Sequence, residues 1–218
     1  MAANATPIND LETRQRLLGA AARLFAERGY QHVTVRDICK EAGANVAAVN
    51  YYFRDKEGLY QEVIQLIIRH IKETFQVAHN AGQDKTPDDR LRHYVRVFLR
   101  SILKEGQDCW QGKLIAREMT DPTHGFDLLV DQVIRPNSAK VAALVSDIMG
   151  QPISDPRVGI CVGSIQTQIV GMANPVAVRM IPGGRFTPEI IDFIADHISN
   201  FSLGGIRAVA DSVPKVKA

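Results

Sequence analysis

The chain has 218 residues, 45% of them apolar and 23% charged, with a net charge of +2. That composition describes an ordinary globular chain long enough to bury a sizeable core, and it argues against a disordered or low-complexity protein. Residues 1–60 hold 8 basic and 7 acidic side chains, so bulk charge does not mark a nucleic-acid binder and geometry must carry any such claim.

The opening MAANATPINDLETR lacks a basic n-region and an apolar h-region, so no secretory signal is expected in it. Residues 1–11 are small and polar and are expected to form a disordered arm. Leu17, Ala21, Leu24 and Phe25 then fall at helical spacing, giving a first amphipathic helix that runs to Arg28 and stops at Gly29.

Thr34, followed three residues later by Asp37, forms a capping-box start for a second helix, with Val35, Ile38, Cys39 and Ala42 on one face. Gly43 ends it, where a left-handed backbone costs least. Asn45 is an N-cap for a short third helix, Val46 to Tyr52, and Asp55 caps a fourth beginning at Lys56. Two helices joined by a tight Gly-containing turn make a helix-turn-helix pattern.

The third helix divides by angle. Val46, Ala47, Asn50 and Tyr51 cover one half of its circumference, and Ala48, Val49 and Tyr52 the other, with Phe53 at the border. The first face carries an amide, a phenol and small apolar groups without any charge. Asn can bond adenine bidentately and small side chains allow close approach, so this face suits a major groove.

The segment AGANVAAVNYYFRDKEGLY, with LLGAAARLFAERGYQHVTVRDIC before it, resembles the DNA-binding head of the TetR family of transcriptional regulators over residues 13–60. Ala47, Ala48 and Asn50 stand where Gly, Thr and an aromatic are commoner in that family. NVAAVNYYF together with REMTDPTHGFDLLVDQVIRP more narrowly resembles its CecR-like branch. The resemblance implies a head at residues 12–55 and a helical ligand-binding and dimerisation domain at 56–211, with 212–218 a flexible tail. By residue-to-residue match it also implies Asn45, Val46, Ala47, Asn50 and Tyr51 at the groove, with Thr34, Tyr52 and Lys56 on phosphates.

Lys56 opens a long helix whose stripe Leu59, Val63, Ile64, Ile67, Ile71 and Phe75 continues to about His79. After a linker at 81–86, Thr86-Pro87-Asp88-Asp89 starts a helix with Leu91, Val95, Phe98, Leu99 and Ile102 inward. Gly106 breaks the pattern. A short helix from Asp108 to Met119 holds the only Trp, Asp121-Pro122 interrupts again, and a helix from Thr123 toward Met149 must kink or break near Arg135 because of Pro136. Ser154-Asp155-Pro156 starts a helix expected to reach about Ala177, with Pro175 in its last turn, where it should bend or end it. After a turn at 181–184, Thr187-Pro188-Glu189 opens the last helix, to about Ala210. Nothing alternates with period two, so the expected fold class is all-α.

Residues 158–178 carry no charge, but their Gln, Ser, Thr, Asn, Gly and Pro content makes membrane insertion poor. Gly159, Gly163, Thr167 and Gly171 place a small residue every four, which suits close helix packing, either within the core or across a subunit seam. The resemblance favours the seam, a homodimer built from this helix and the last one, including Ile194 and Phe201.

A small apolar or aromatic effector is expected to meet Phe98, Ile102, Trp110, Leu114 and Phe126, with Arg117 and Gln166 fixing its polar end. The resemblance implies a ligand-responsive regulator, a repressor binding a pseudo-palindromic operator. A rival reading is an all-α enzyme using Arg117, Glu118 and His124 in a cleft, although no nucleophile motif accompanies them. Six scattered histidines give no metal pattern and no cofactor is expected. Cys39, Cys109 and Cys161 read as reduced thiols of a cytoplasmic protein.

Overall fold

The computed structural model describes residues 7–80, 85–104, 110–181 and 185–212. The middle of the linker, the break at Gly106, the start at Asp108, Cys109, the turn residues 182–184 and the tail beyond 212 lie outside them. The described residues are helical and contain no strand, as expected of an all-α fold: α1 Pro7–Arg28, α2 Val35–Ala42, α3 Val46–Phe53, α4 Lys56–Asn80, α5 Pro87–Lys104, α6 Trp110–Thr120, α7 His124–Leu129, α8 Arg135–Met149, α9 Pro156–Gly171, α10 Pro175–Met180 and α11 Pro188–Ala210.

Two boundaries differ from the sequence reading. Helix α1 begins at Pro7, inside the stretch read as an arm, because a proline at the first helical position needs no N–H partner. The expected helix to Ala177 is two helices. The Asn174 side chain accepts from the Val176 N–H at 2.8 Å and so caps a new start at Pro175, which cannot continue the ladder of α9. Pro136 acts more gently. A π turn at Val130–Ile134 leads into α8, whose first turn holds Pro136, so the chain stays helical where the proline withdraws a donor.

The chain forms two compact units: Met1–His70 with Asp108–Gln132, and Ile71–Gln107 with Val133–Ala218. The boundary falls inside α4, and the α6–α7 segment groups with the head.

In the first unit Leu17, Ala21, Phe25, Ile38, Val49 and Leu59 are buried, so α1 to α4 share one core. The Tyr60 ring meets Phe25 edge-on at 4.9 Å and Tyr30 at 4.7 Å. Gly125 lets α7 close on α4, since a Cβ there would lie 2.9 Å from Ile64 Cγ1. The second unit is built on Leu91, Leu99, Val145, Val162, Ile165 and Ile198, drawn from α5, α8, α9 and α11. Across α5 and α11, Arg96 pairs with Asp196 at 2.6 Å and Arg100 grips Asp192 bidentately at 3.0 and 2.7 Å, while Arg207 bonds Asp88. These pairs are exposed and set register more than stability.

Candidate nucleic-acid interface

The helix-turn-helix is fixed by local chemistry. Thr34 Oγ1 accepts from the Asp37 N–H at 3.1 Å, and the Asp37 carboxylate accepts from the Thr34 N–H at 2.9 Å, a closed capping box. Those bonds hold the Asp37 carboxyl below the usual carboxylate range, the Thr34 hydroxyl contributing most. Gly43 takes φ 60°, ψ 42° and turns the chain, and Asn45 Oδ1 accepts from the Ala48 N–H at 2.9 Å to start α3. Asp55 Oδ1 accepts from the Gly58 N–H at 2.8 Å to start α4.

This frame decides which side of α3 is free. Val49 and Phe53 are buried and Ala48 and Tyr52 half-buried, whereas Asn45, Val46, Ala47, Asn50 and Tyr51 are exposed, Tyr51 at 75%. The two faces are those expected from angle alone. An exposed row of one phenol, two amides and small apolar groups is free to approach a partner, and none of these side chains needs to be stripped of an ion pair first.

The residues matched to phosphate contacts flank that row. Thr34 is exposed, with its hydroxyl also donating to Asp37 Oδ2 at 2.6 Å. Lys56 is half-buried, its Nζ 4.2 Å from the Tyr30 ring centroid, and burial lowers its pKa. Tyr52 donates its hydroxyl to Asp10. Beside it Arg54 closes α3 at φ 74°, the one non-glycine residue with a positive φ among those described.

The side chains read as effector contacts fall in both units. Phe98, Ile102 and Gln166 belong to the second, where Phe98 stacks obliquely on Phe75 at 4.9 Å and Gln166 exchanges hydrogen bonds with Ser138. Trp110, Leu114, Arg117 and Phe126 belong to the first. Leu114 is buried there, and Trp110 and Phe126 are half-buried. Arg117 has other partners: its Nε donates to the Ala26 carbonyl at 2.8 Å and its Nη2 to that of Glu27, so the cation caps the negative end of α1. An open cleft of about 610 Å³ in the first unit is lined by Tyr52, Arg54, Gln61, Glu62, His124 and Asp127 among others, and by none of the effector candidates.

Glu118, one of the residues of the enzyme reading, is 1% exposed and fully engaged. It accepts from the Tyr60 hydroxyl, from the Thr123 N–H at 3.1 Å and from the Thr123 hydroxyl at 2.8 Å. Burial first, and this bond second, push the Tyr60 pKa well above its ordinary value. Glu118 ties α6 to α4 and to the start of α7, while Arg117 ties it to α1; both roles depend on contacts far apart in sequence. His124 is exposed and not part of that network.

The seam candidates Gly159, Gly163, Thr167 and Gly171 are exposed, and a Cβ on any of these glycines would meet nothing within 4 Å. Their neighbours Ile160 and Val170 are exposed at 70% and 47%, and on α11 Phe193 and Phe201 at 74% and 65%. Among the described residues, therefore, nothing packs on the glycines of the stripe. Ile194 differs, being half-buried against the core of the second unit. Among the described residues no helix is long and apolar enough to cross a membrane, and no cluster of side chains fits a metal ion. Cys39 and Cys161 are buried free thiols.

Comparison with known proteins bears on both units. Residues 17–63 match the family model described as bacterial regulatory proteins, tetR family, and residues 87–206 match that of the C-terminal domain of the HTH-type transcriptional dual regulator CecR. The chain is 30% identical to the dual regulator CecR of Shigella flexneri over 161 residues, 70% of this chain and 72% of that protein. It is 32% identical to the regulator AcrR of the same organism over 94 residues, 43% of each. The fold is similar to a TetR-family transcriptional regulator from Streptomyces coelicolor, with TM-score 0.66 and 21% identity over 90% of this chain and 97% of that one. A transcriptional regulator from Pseudomonas aeruginosa PAO1 gives TM-score 0.70 at 16% identity, covering 90% and 92%.

Proposed function

The chain belongs to the TetR family of bacterial transcriptional regulators, within its CecR branch, and from that premise we propose that it is a homodimeric, ligand-released repressor of a pseudo-palindromic operator. It is a DNA-binding regulator and not an enzyme. The observation that supports the finer reading is the pair of exposed uncharged faces. One lies on α3, built from Asn50, Tyr51, Val46 and Ala47; the other lies on α9 and α11, built from Gly163, Ile160 and Phe201. The first fits a major groove and the second a copy of itself. A two-fold pair presents two α3 helices to half-sites about one helical turn, roughly 34 Å, apart.

Release requires an effector with higher affinity for the state that cannot bind DNA. The bonds of Arg117 to α1 and of Glu118 to α4 make α6 the element through which such a ligand acts on the head: displacing α6 uncaps α1 and orphans the Tyr60 hydroxyl. An apolar or aromatic effector that does so also perturbs Trp110, the first residue of α6.

Selection of bound duplexes from a random pool by the purified protein tests the reading. An inverted repeat with half-sites one turn apart is expected. Asn50→Ala should relax preference at one base pair in each half-site by about 1–3 kcal/mol. A selected site without two-fold symmetry would overturn the dimeric arrangement, and an unchanged preference in Asn50→Ala would overturn the orientation of α3.

A further inference from the structure

The first turns of α1 reach back to the far end of α3. Asp10 accepts a hydrogen bond from the Tyr52 hydroxyl. One helical turn later Arg14 lies over the Phe53 ring, 5.2 Å from its centroid, and pairs with Glu62 at 3.0 Å. Positions i and i+4 share one face of a helix, so a single stripe of α1 holds the last two side chains of α3. Tyr52 and Asp10 are separated by 42 residues, and no local pattern announces their meeting.

A phenol has one O–H to donate. In the free protein Tyr52 gives it to an anionic oxygen, and that bond is the leading reason its pKa is pushed up to about 12. A DNA phosphate presents the same kind of acceptor. The two acceptors exclude each other, and a phosphate that takes the hydroxyl leaves the exposed Asp10 carboxylate without its donor beside another anion. The head has little cationic excess to mask that repulsion, with 8 basic against 7 acidic side chains in residues 1–60.

We propose that Asp10 is an intramolecular competitor for DNA phosphate, holding the Tyr52 hydroxyl off the duplex so that binding requires an exchange of one anionic acceptor for another. The proposal rests on the reading of the head as the DNA-binding unit with Tyr52 on a phosphate. Phosphate contacts set affinity for any sequence while base contacts set discrimination. Asp10 therefore lowers affinity for operator and random DNA together and leaves their ratio nearly unchanged.

The full-length protein, its selected operator and a scrambled duplex suffice for the test, read by fluorescence anisotropy across a salt series. Asp10→Ala is expected to tighten binding to both duplexes by about three- to tenfold, the size of one net hydrogen bond. In a Tyr52→Phe background the same substitution should gain less than about twofold, because no hydroxyl remains to be released. Asp10→Asn, which keeps shape and removes charge, gives an intermediate gain and guards against a loss of helix in Asp10→Ala. Equal gains with and without the Tyr52 hydroxyl would mean that Asp10 acts by charge alone and overturn the competition. Unchanged or weaker binding in both Asp10 variants would overturn it as well. If the wild-type protein bound no duplex, the DNA reading itself would fall and this proposal with it, whereas wild-type binding with indifferent Asp10 variants would remove only the proposal.

Discussion

Helices α3 and α9 share a property that is rare in exposed helices: the outward face carries no charge. On α3 that face is Val46, Ala47, Asn50 and Tyr51; on α9 it is Gly159, Ile160, Gly163, Thr167 and Val170. They differ in what replaces charge. Helix α3 offers an amide and a phenol, groups that still want hydrogen bonds after water has left, and α9 offers aliphatic and bare backbone surface that wants only contact. On the proposed reading each uncharged face serves a partner, and the remaining side chains select its chemistry: base edges with donors and acceptors for α3, an apolar helix for α9.

Placing the same charge on each face is the strongest way to break that comparison. Phe201→Asp on α11 buries a carboxylate in the proposed seam and removes a large exposed aromatic, an anchor of the kind worth about 2–4 kcal/mol or more. Sedimentation should show a folded monomer, with operator affinity collapsing because two half-sites are no longer bridged. Ala47→Asp on α3 should leave the dimer intact and remove operator binding through like-charge repulsion costing several kcal/mol. If each variant lost both properties, the faces would not be separable and the comparison would fail.

A milder effect tests what stands behind each face. The two units bury polar groups differently. Glu118 gathers three hydrogen bonds in the first, and Asn137 donates to the Tyr94 hydroxyl at 2.9 Å in the second. Glu118→Ala leaves the Tyr60 hydroxyl and the Thr123 N–H without their acceptor, each at a cost of about 1–3 kcal/mol. Denaturant unfolding should therefore show a larger loss for Glu118→Ala than for Met119→Ala, its exposed neighbour on α6. Equal losses would show that α6 is not a special support of the head.

How much of this was legible in the sequence follows from the range of the contacts. The capping box at Thr34 and Asp37, the left-handed Gly43 and the caps at Asn45 and Asp55 rest on residues three or so apart, so residue type and spacing locate them. With helix starts placed, the angular split of α3 followed, and the buried and exposed sets match it residue by residue. The joining of α6 and α7 to the head was not legible, because Arg117 meets Ala26 and Glu118 meets Tyr60 across 91 and 58 residues with no periodic sign. Pro175 is expected to bend or end the helix that holds it, and the second alternative is what occurs: the Asn174 side chain accepts from the Val176 N–H and starts a separate helix at Pro175. The stripe on α9 was legible as small residues, but its exposure was not, because small residues every four suit core packing equally well.

The smallest expected effect is at acid pH, and it separates the supports of the two faces most finely. Asp37 closes the capping box of α2, and its carboxyl lies below the ordinary range chiefly through the Thr34 hydroxyl. Asp155 caps α9 and is held low first by the Arg157 side chain, which bonds both its oxygens at 2.8–3.2 Å. A carboxylate whose folded pKa is depressed binds fewer protons folded than unfolded, so stability rises with pH through that window. Each contribution is complete above the unfolded value, near 4, and is lost as pH falls through the folded one. Both groups are half-buried and each supports a single helix start, so each loss is best read locally. Hydrogen exchange on amides of α2 and α9 between pH 5 and pH 3, corrected for the intrinsic rate, should show protection falling in both helices. Asp37→Asn should flatten the fall in α2 alone, and Asp155→Asn that in α9 alone. A substitution that flattened both curves would mean that the two caps act through one cooperative unfolding of the chain, and that the two faces do not rest on separate supports.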